Sequence, residues 1–163
     1  MYRPDFGHDY PFLGGVKCDR RLLRSAESAR ASKLNSISEY VYQSIMTEDS
    51  APELSALFGA VAMDEMRHYR GLSRLIYCLG GNPCARITVC TSRLSGGCEC
   101  EGFGKLLASD IADEKHSEKE YLRLAASTGD PVAANFFTNL ADDEANHVKL
   151  LCEARDRLTS RTK

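Results

Sequence analysis

The sequence predicts an all-α fold: an antiparallel four-helix bundle with one long crossover between its second and third helices. Four long segments place apolar residues at steps of three and four, the spacing of one helix face. Glycine and proline punctuate the chain between them, and its second half repeats its first. The chain has 163 residues, 43% hydrophobic and 27% charged, enough for one domain with a core of its own. Lys and Arg number 21 against 23 Asp and Glu, a net charge of −2, which argues against a nucleic-acid surface. No apolar run reaches the roughly 18 residues of a membrane span, and the first residues lack the apolar stretch of a secretory signal. The expected location is the cytoplasm, where thiols stay reduced.

Residues 1–19 read as an irregular arm, 20–158 as the bundle and 159–163 as a polar tail. The first helix spans about Arg20 to Met46, with Leu34, Ile37, Val41 and Ile45 recurring along one face. Ser50 and Glu53 form a capping-box pair ahead of a second helix from Pro52 to about Leu79, which Gly80-Gly81 ends. Residues 81–104 are a Gly- and Cys-rich loop with a short β-like stretch at Ile87 to Val89. It holds Cys84, Cys90, Cys98 and Cys100, but no Cys-x-x-Cys pair occurs, so reduced thiols fit better than a loop metal. A third helix runs from about Lys105 to Ser127. A fourth, capped by Asp130 and opened by Pro131, runs to about Arg157.

Charged residues on an inward stripe demand a reason. The second helix aligns Val61, Glu65, His68 and Leu72; the fourth aligns Leu140, Glu144, His147 and Leu151 at identical spacings. Each Glu-x-x-His places a carboxylate and an imidazole one turn apart, able to reach one metal. The two motifs, the aspartates before them (Asp64, Asp143) and the opening prolines all share an offset of 79 residues. The third helix carries Asp110, Glu114, Ser117 and Tyr121 on one stripe. In the first, Tyr40 stands 81 residues before Tyr121, and Lys33 stands seven residues before Tyr40, where Glu114 precedes Tyr121.

The segments SKLNSISEYVYQSI, AMDEMRHYRGLSRLIYCLGGNP, SDIADEKHSEKEY and ADDEANHVKLL resemble the ferritin-like di-iron carboxylate proteins, most of all the rubrerythrin type, over about residues 20–157. The resemblance implies a site built by Glu65, His68, Glu114, Glu144 and His147, holding iron or manganese, with zinc also suited to such O/N ligands. Lys33 stands where the first helix of that family supplies a carboxylate. Three carboxylates and an ammonium leave −2 where two divalent ions bring +4. Three arrangements follow: one metal on the Glu114/His147 side with Lys33 as a surrogate cation; two metals with Lys33 neutral or water in the gap; or no metal, with Lys33 bridging Glu65 and Glu144. A fourth possibility, Lys33 reaching out to solvent, is compatible with each.

Asp64 and Asp143 are either hydrogen-bond partners for the far nitrogens of the histidines or solvated acids. Tyr40 and Tyr121 are expected to pack in the core, with donation to ligand carboxylates or radical chemistry as the alternative. His116 is expected on the surface, and Glu118 is read as a surface acid rather than an extra ligand. The functions in view are a redox enzyme acting on peroxide or oxygen, a metal-holding protein without turnover, and a structural bundle. No catalytic residue is assigned. With no rubredoxin-like cysteine pairs, an enzyme needs an external electron donor. A homodimer or higher homo-oligomer is expected, with the arm and the long loop as the likeliest contacts.

Overall fold

The computed structural model describes residues 13, 15–84 and 102–161. Four helices account for nearly all of them: α1 (Arg20–Thr47), α2 (Pro52–Cys78), α3 (Phe103–Ser127) and α4 (Pro131–Arg161). The β-like stretch at Ile87 to Val89 and three of the loop cysteines, Cys90, Cys98 and Cys100, lie outside the described residues.

The helix boundaries follow local chemistry. Asp19 caps α1, its carboxylate accepting from the backbone N–H groups of Arg21 and Leu22. Asp130 caps α4 in the same way, accepting from Val132 and Ala133 at 2.9 and 3.0 Å. Its other oxygen accepts from the Lys17 N–H at 3.0 Å, which ties the arm to the far hairpin. The expected capping box of α2 does not form: the cap position is Ala51, which offers no side chain, and Ser50 is left exposed. Pro52 at the first position meets the need for a start on its own, since one N–H is already absent. Gly80, at φ 82°, reverses the chain after α2.

Hairpin α1/α2 packs along itself, as does hairpin α3/α4, and α2 touches α4 across the middle. Two apolar clusters fill the ends. One joins Leu22 and Ala26 of α1, Leu72, Leu75 and Ile76 of α2, Tyr121 and Leu124 of α3 and Phe136, Phe137 and Leu140 of α4. The other joins Tyr40, Leu54, Phe58, Val61, Leu107, Ile111 and Leu151. The first holds the end of α2 and the second the start of α3, so these two helix ends lie at opposite ends of the bundle, about 40 Å apart for a 27-residue helix. Leu13 and Val16 of the arm are buried in the first cluster, covering its open end.

The inner face of α1 is not the apolar stripe expected. Ile37 is buried, but Leu34 is only half-buried, and Val41 and Ile45 are 45% and 65% exposed. The buried stripe is instead Ala26, Arg30, Lys33, Ile37, Tyr40, Gln43 and Thr47, also at steps of three and four. Most of these are polar and find partners across the bundle, so hydrophobicity alone points to the wrong side of this helix. Arg30 bonds the carbonyl of Pro83 and lies 5.7 Å from the Tyr69 ring centroid, pinning the start of the long connection.

Candidate metal centre

Between the two apolar clusters lies a layer of buried charge. Glu65, His68, Glu144 and His147 are fully buried, Glu114 is 3% exposed and Lys33 1%. Lys33 does not reach for solvent. Its Nζ lies 2.9 Å from both Glu65 oxygens and 2.8 Å from Glu144 Oε1, so one ammonium bridges the two glutamates. Glu65, Glu114, Glu144 and His147 offer four ligand atoms, all within 4.8 Å of one another. His147 Nδ1 lies 3.5 Å from Glu114, 3.6 Å from Glu65 and 3.9 Å from Glu144. His68 Nδ1 faces the Lys33 side, 3.0 Å from Glu144 and 3.5 Å from Glu65. All five residues inferred as ligands thus converge at one level of the bundle.

The far nitrogens pair crosswise between the hairpins. His147 Nε2 is 2.9 Å from Asp64 Oδ2, and His68 Nε2 is 3.3 Å from Asp143 Oδ2. Neither aspartate is a solvated acid: each is at most 5% exposed. Arg67, which the sequence reading passed over, closes this flank by pairing with Asp64 and reaching to 3.9 Å from Asp143. Its spacing of three from Asp64 is the only trace of that role in the sequence.

The tyrosines differ. Tyr40 donates its hydroxyl to Glu114, so it is more than core packing. Tyr121 instead lies beneath Lys33, whose Nζ is 5.6 Å from the ring centroid. Each ring stacks on a phenylalanine with centroids 6.1 Å apart, Tyr40 on Phe58 and Tyr121 on Phe137. His116 is exposed, as expected, and Glu118 is half-buried.

Protonation follows from this crowding. Burial would lower the Lys33 pKa, but Glu144 and Glu65 outweigh it and hold the ammonium charged. Burial also opposes a charged His147, yet its bonds to Asp64 and Glu114 push it up to about 10. His68 is raised in the same way, burial being outweighed by Asp143, Glu144 and Glu65. Burial and the neighbouring Glu65 and Glu114 push Glu144 up to about 8 against the pull of Lys33. Glu114 stays ionised: the adjacent Glu144 and His147, with the Lys33 charge, overcome its burial and hold it well below the usual range.

The chain is 27% identical over 143 residues to a bacterioferritin from Desulfovibrio desulfuricans, covering 83% of this chain and 76% of the relative. This supports a ferritin-like chain. No family model matches it, and neither does any solved structure. A ferritin-like reading accounts for the four helices, the two Glu-x-x-His motifs and their convergence. It leaves Lys33 as the feature that needs its own explanation.

Proposed function

We propose that this chain is a ferritin-like metal-binding protein that holds one divalent ion, iron before manganese or zinc, at Glu65, Glu114, Glu144 and His147, with Lys33 as a resident cation in the adjoining lobe. The observation behind this is the ligand group itself: three carboxylates and an imidazole, all buried, with ligand atoms within 4.8 Å. Glu114 Oε2 and Glu144 Oε2 are buried without a close hydrogen-bond partner, His147 Nδ1 standing 3.5 and 3.9 Å from them, a costly state that a cation between them would relieve. The donor set of hard oxygens and one nitrogen suits iron and manganese. With the glutamates ionised and the histidines neutral, as ligation requires, three carboxylates and Lys33 sum to −2, which one divalent ion neutralises, and a second ion beside the ammonium would be repelled.

Iron bound here would supply electrons to peroxide or dioxygen, the chemistry of a rubrerythrin-type enzyme, and such turnover would draw on an external donor. The residues of the chain have defined parts in either case. Asp64 holds His147 so that Nδ1 faces the carboxylates, and Asp143 does the same for His68. Tyr40 orients Glu114 by donating to one oxygen, leaving the other for the ion. Leu72, Leu140, Val61 and Leu151, all fully buried, keep water from both ends of the layer. A second reading, a metal-free structural bundle, is favoured by the Lys33 bridge, since Glu65 and Glu144 already have a cation between them.

Protein loaded with Fe²⁺ or Mn²⁺ under nitrogen and freed of excess ion separates these readings. One ion per chain is expected. None would leave the structural reading, and two tightly held ions would show that Lys33 is no surrogate.

Self-association belongs to the same proposal. The expected contacts, the arm and the long loop, fall largely outside the described residues, and Leu13 and Val16 pack on their own bundle. The hairpin α1/α2 instead exposes Val41, Ile45, Met63 and Met66, the last two at 73% and 50%. Light scattering should give a mass above 18.0 kDa, and a homodimer is the simplest closed form.

A further inference from the structure

One turn beyond the centre, on the side where α1 faces α3, a second polar pair is buried. Gln43 is 3% and Asp110 4% exposed, and the Gln43 amide donates to Asp110 Oδ1 at 2.9 Å. That bond uses one oxygen of the pair. Asp110 Oδ2 and Gln43 Oε1 are both buried with no hydrogen-bond partner.

The fold does not require polar residues here. The offset of 81 that relates Lys33 to Glu114 and Tyr40 to Tyr121 also relates Ala29 to Asp110 and Gln43 to Leu124. In the other half of the bundle the equivalent pair is therefore Ala29 and Leu124, and Leu124 is buried in the apolar cluster. Exchanging an alanine and a leucine for a buried acid and amide is unfavourable unless something binds the exposed lone pairs.

The surroundings select a cation. Burial raises Asp110 to about 7 against the Gln43 bond, and Glu39, Glu114 and Asp113, all acids, add to the rise, so its second oxygen favours a positive partner, a proton or a cation. Glu39 and Asp113 are exposed, and Glu114 is the ionised carboxylate of the centre. Acids thus run from the surface inward, and Asp110 lies four residues from Glu114 on one stripe of α3, about 6 Å along the helix.

We propose that Gln43 and Asp110 form a waiting site for a divalent cation, fed from Glu39 and Asp113, from which the ion passes to Glu114 and His147. This rests on reading the centre as a metal site. Asp110 Oδ2 and Gln43 Oε1 are its inner ligands, and water completes the shell of an ion held weakly enough to move on. The site serves the Glu114 side alone; on the Lys33 side, which has no use for an incoming cation, Ala29 and Leu124 occupy the two equivalent positions.

The test uses Mn²⁺ followed by electron paramagnetic resonance in the full chain, with both the time course and the equilibrium titration. Asp110→Asn removes the charge at constant volume, and Gln43→Leu/Asp110→Ala installs the pair of the other half. Both variants should fill the centre more slowly than wild type by about tenfold or more, the scale on which acidic clefts raise cation capture. Their final tight stoichiometry should be unchanged. In Glu144→Gln, where the centre is impaired, weak Mn²⁺ binding should remain, and adding Asp110→Asn should abolish it. Wild-type loading rates in both Asp110 variants, or weak binding indifferent to Asp110→Asn, would overturn the proposal. If wild type shows no tight Mn²⁺ at all, the reading of the centre and the transit role fall together; weak binding that still depends on Asp110 would then leave a cation site without a destination.

Discussion

The two hairpins share one pattern of motifs, and the informative differences lie around the charged layer. In one half, Tyr40 donates to Glu114 and stacks on Phe58; in the other, Tyr121 stacks on Phe137 at the same 6.1 Å but faces an ammonium. Around Glu114 the polar character continues outward through Asp110 and Gln43, whereas Ala29 and Leu124 stand at the equivalent positions around Lys33 and the buried polar neighbour there is Arg30. The halves thus differ in charge at one position and in polarity one turn away. The comparison teaches that this bundle tolerates either sign at the position, provided Glu65 and Glu144 have a cation between them.

The largest expected effect comes from making the halves alike. Lys33→Glu should raise bound metal from one ion per chain towards two, read by elemental analysis after anaerobic loading. Without metal it removes the cation of a buried network, and should cost roughly 3 kcal/mol or more in chemical denaturation. Added metal should restore that stability by mass action. Glu114→Lys makes the halves alike in the opposite sense, and should empty the centre. Unchanged stoichiometry in both variants would erase the distinction between the halves.

Next in size is a pH effect on the metal-free protein. His147 holds its proton up to about 10 when folded against 6.5 unfolded, and Glu144 up to about 8 against 4.5. The folded state therefore binds more protons across both windows, so stability should fall as pH rises from about 4.5 through 8 and on to about 10. Thermal melts in chelator across that range check the sign; Lys33→Glu should shift the curve more than any change in the apolar clusters.

The tyrosines test the asymmetry more finely. Tyr40→Phe leaves Glu114 without its donor and should cost about 1 to 3 kcal/mol. Tyr121→Phe, whose hydroxyl has no bond to lose, should stay within about 0.5 kcal/mol. Denaturant midpoints measured on the same day suffice, and equal costs would contradict the observed bonding.

The smallest contrast lies at the helix starts. Asp130→Ala should cost about 1 kcal/mol by removing the cap of α4. Ser50→Ala should be neutral within about 0.5 kcal/mol, because α2 starts without a side-chain cap.

Much of this was legible in the residues. The double Glu-x-x-His pattern at an offset of 79 is a statement about helix faces, and all eight stripe residues around it, from Val61 to Leu72 and Leu140 to Leu151, are fully buried. Lys33 was found because the repeat, rather than hydrophobicity, located it. Where hydrophobicity was the guide, on α1, it chose Leu34, Val41 and Ile45, since a stripe made of Arg30, Lys33, Gln43 and Thr47 carries no apolar period. The crosswise pairing of His147 with Asp64 and His68 with Asp143 depends on the register between hairpins, which no local spacing encodes. Ser50 misled because a capping box fixes only composition, and the helix began one residue later, behind Ala51.

The arrangement of Lys33 has a consequence for how the chain finds its own partner. Two hairpins with the same motif pattern could dock on copies of themselves, α1/α2 of one molecule against α1/α2 of another. Such exchange would leave one assembly with two lysines and two copies of Glu65, and its counterpart with two copies each of Glu114 and Glu144 and no ammonium. The proper pairing divides the charge evenly, and because electrostatic self-energy grows with the square of the charge, even division is favoured. A single lysine thereby opposes hairpin-exchanged pairs during assembly, whatever the centre holds.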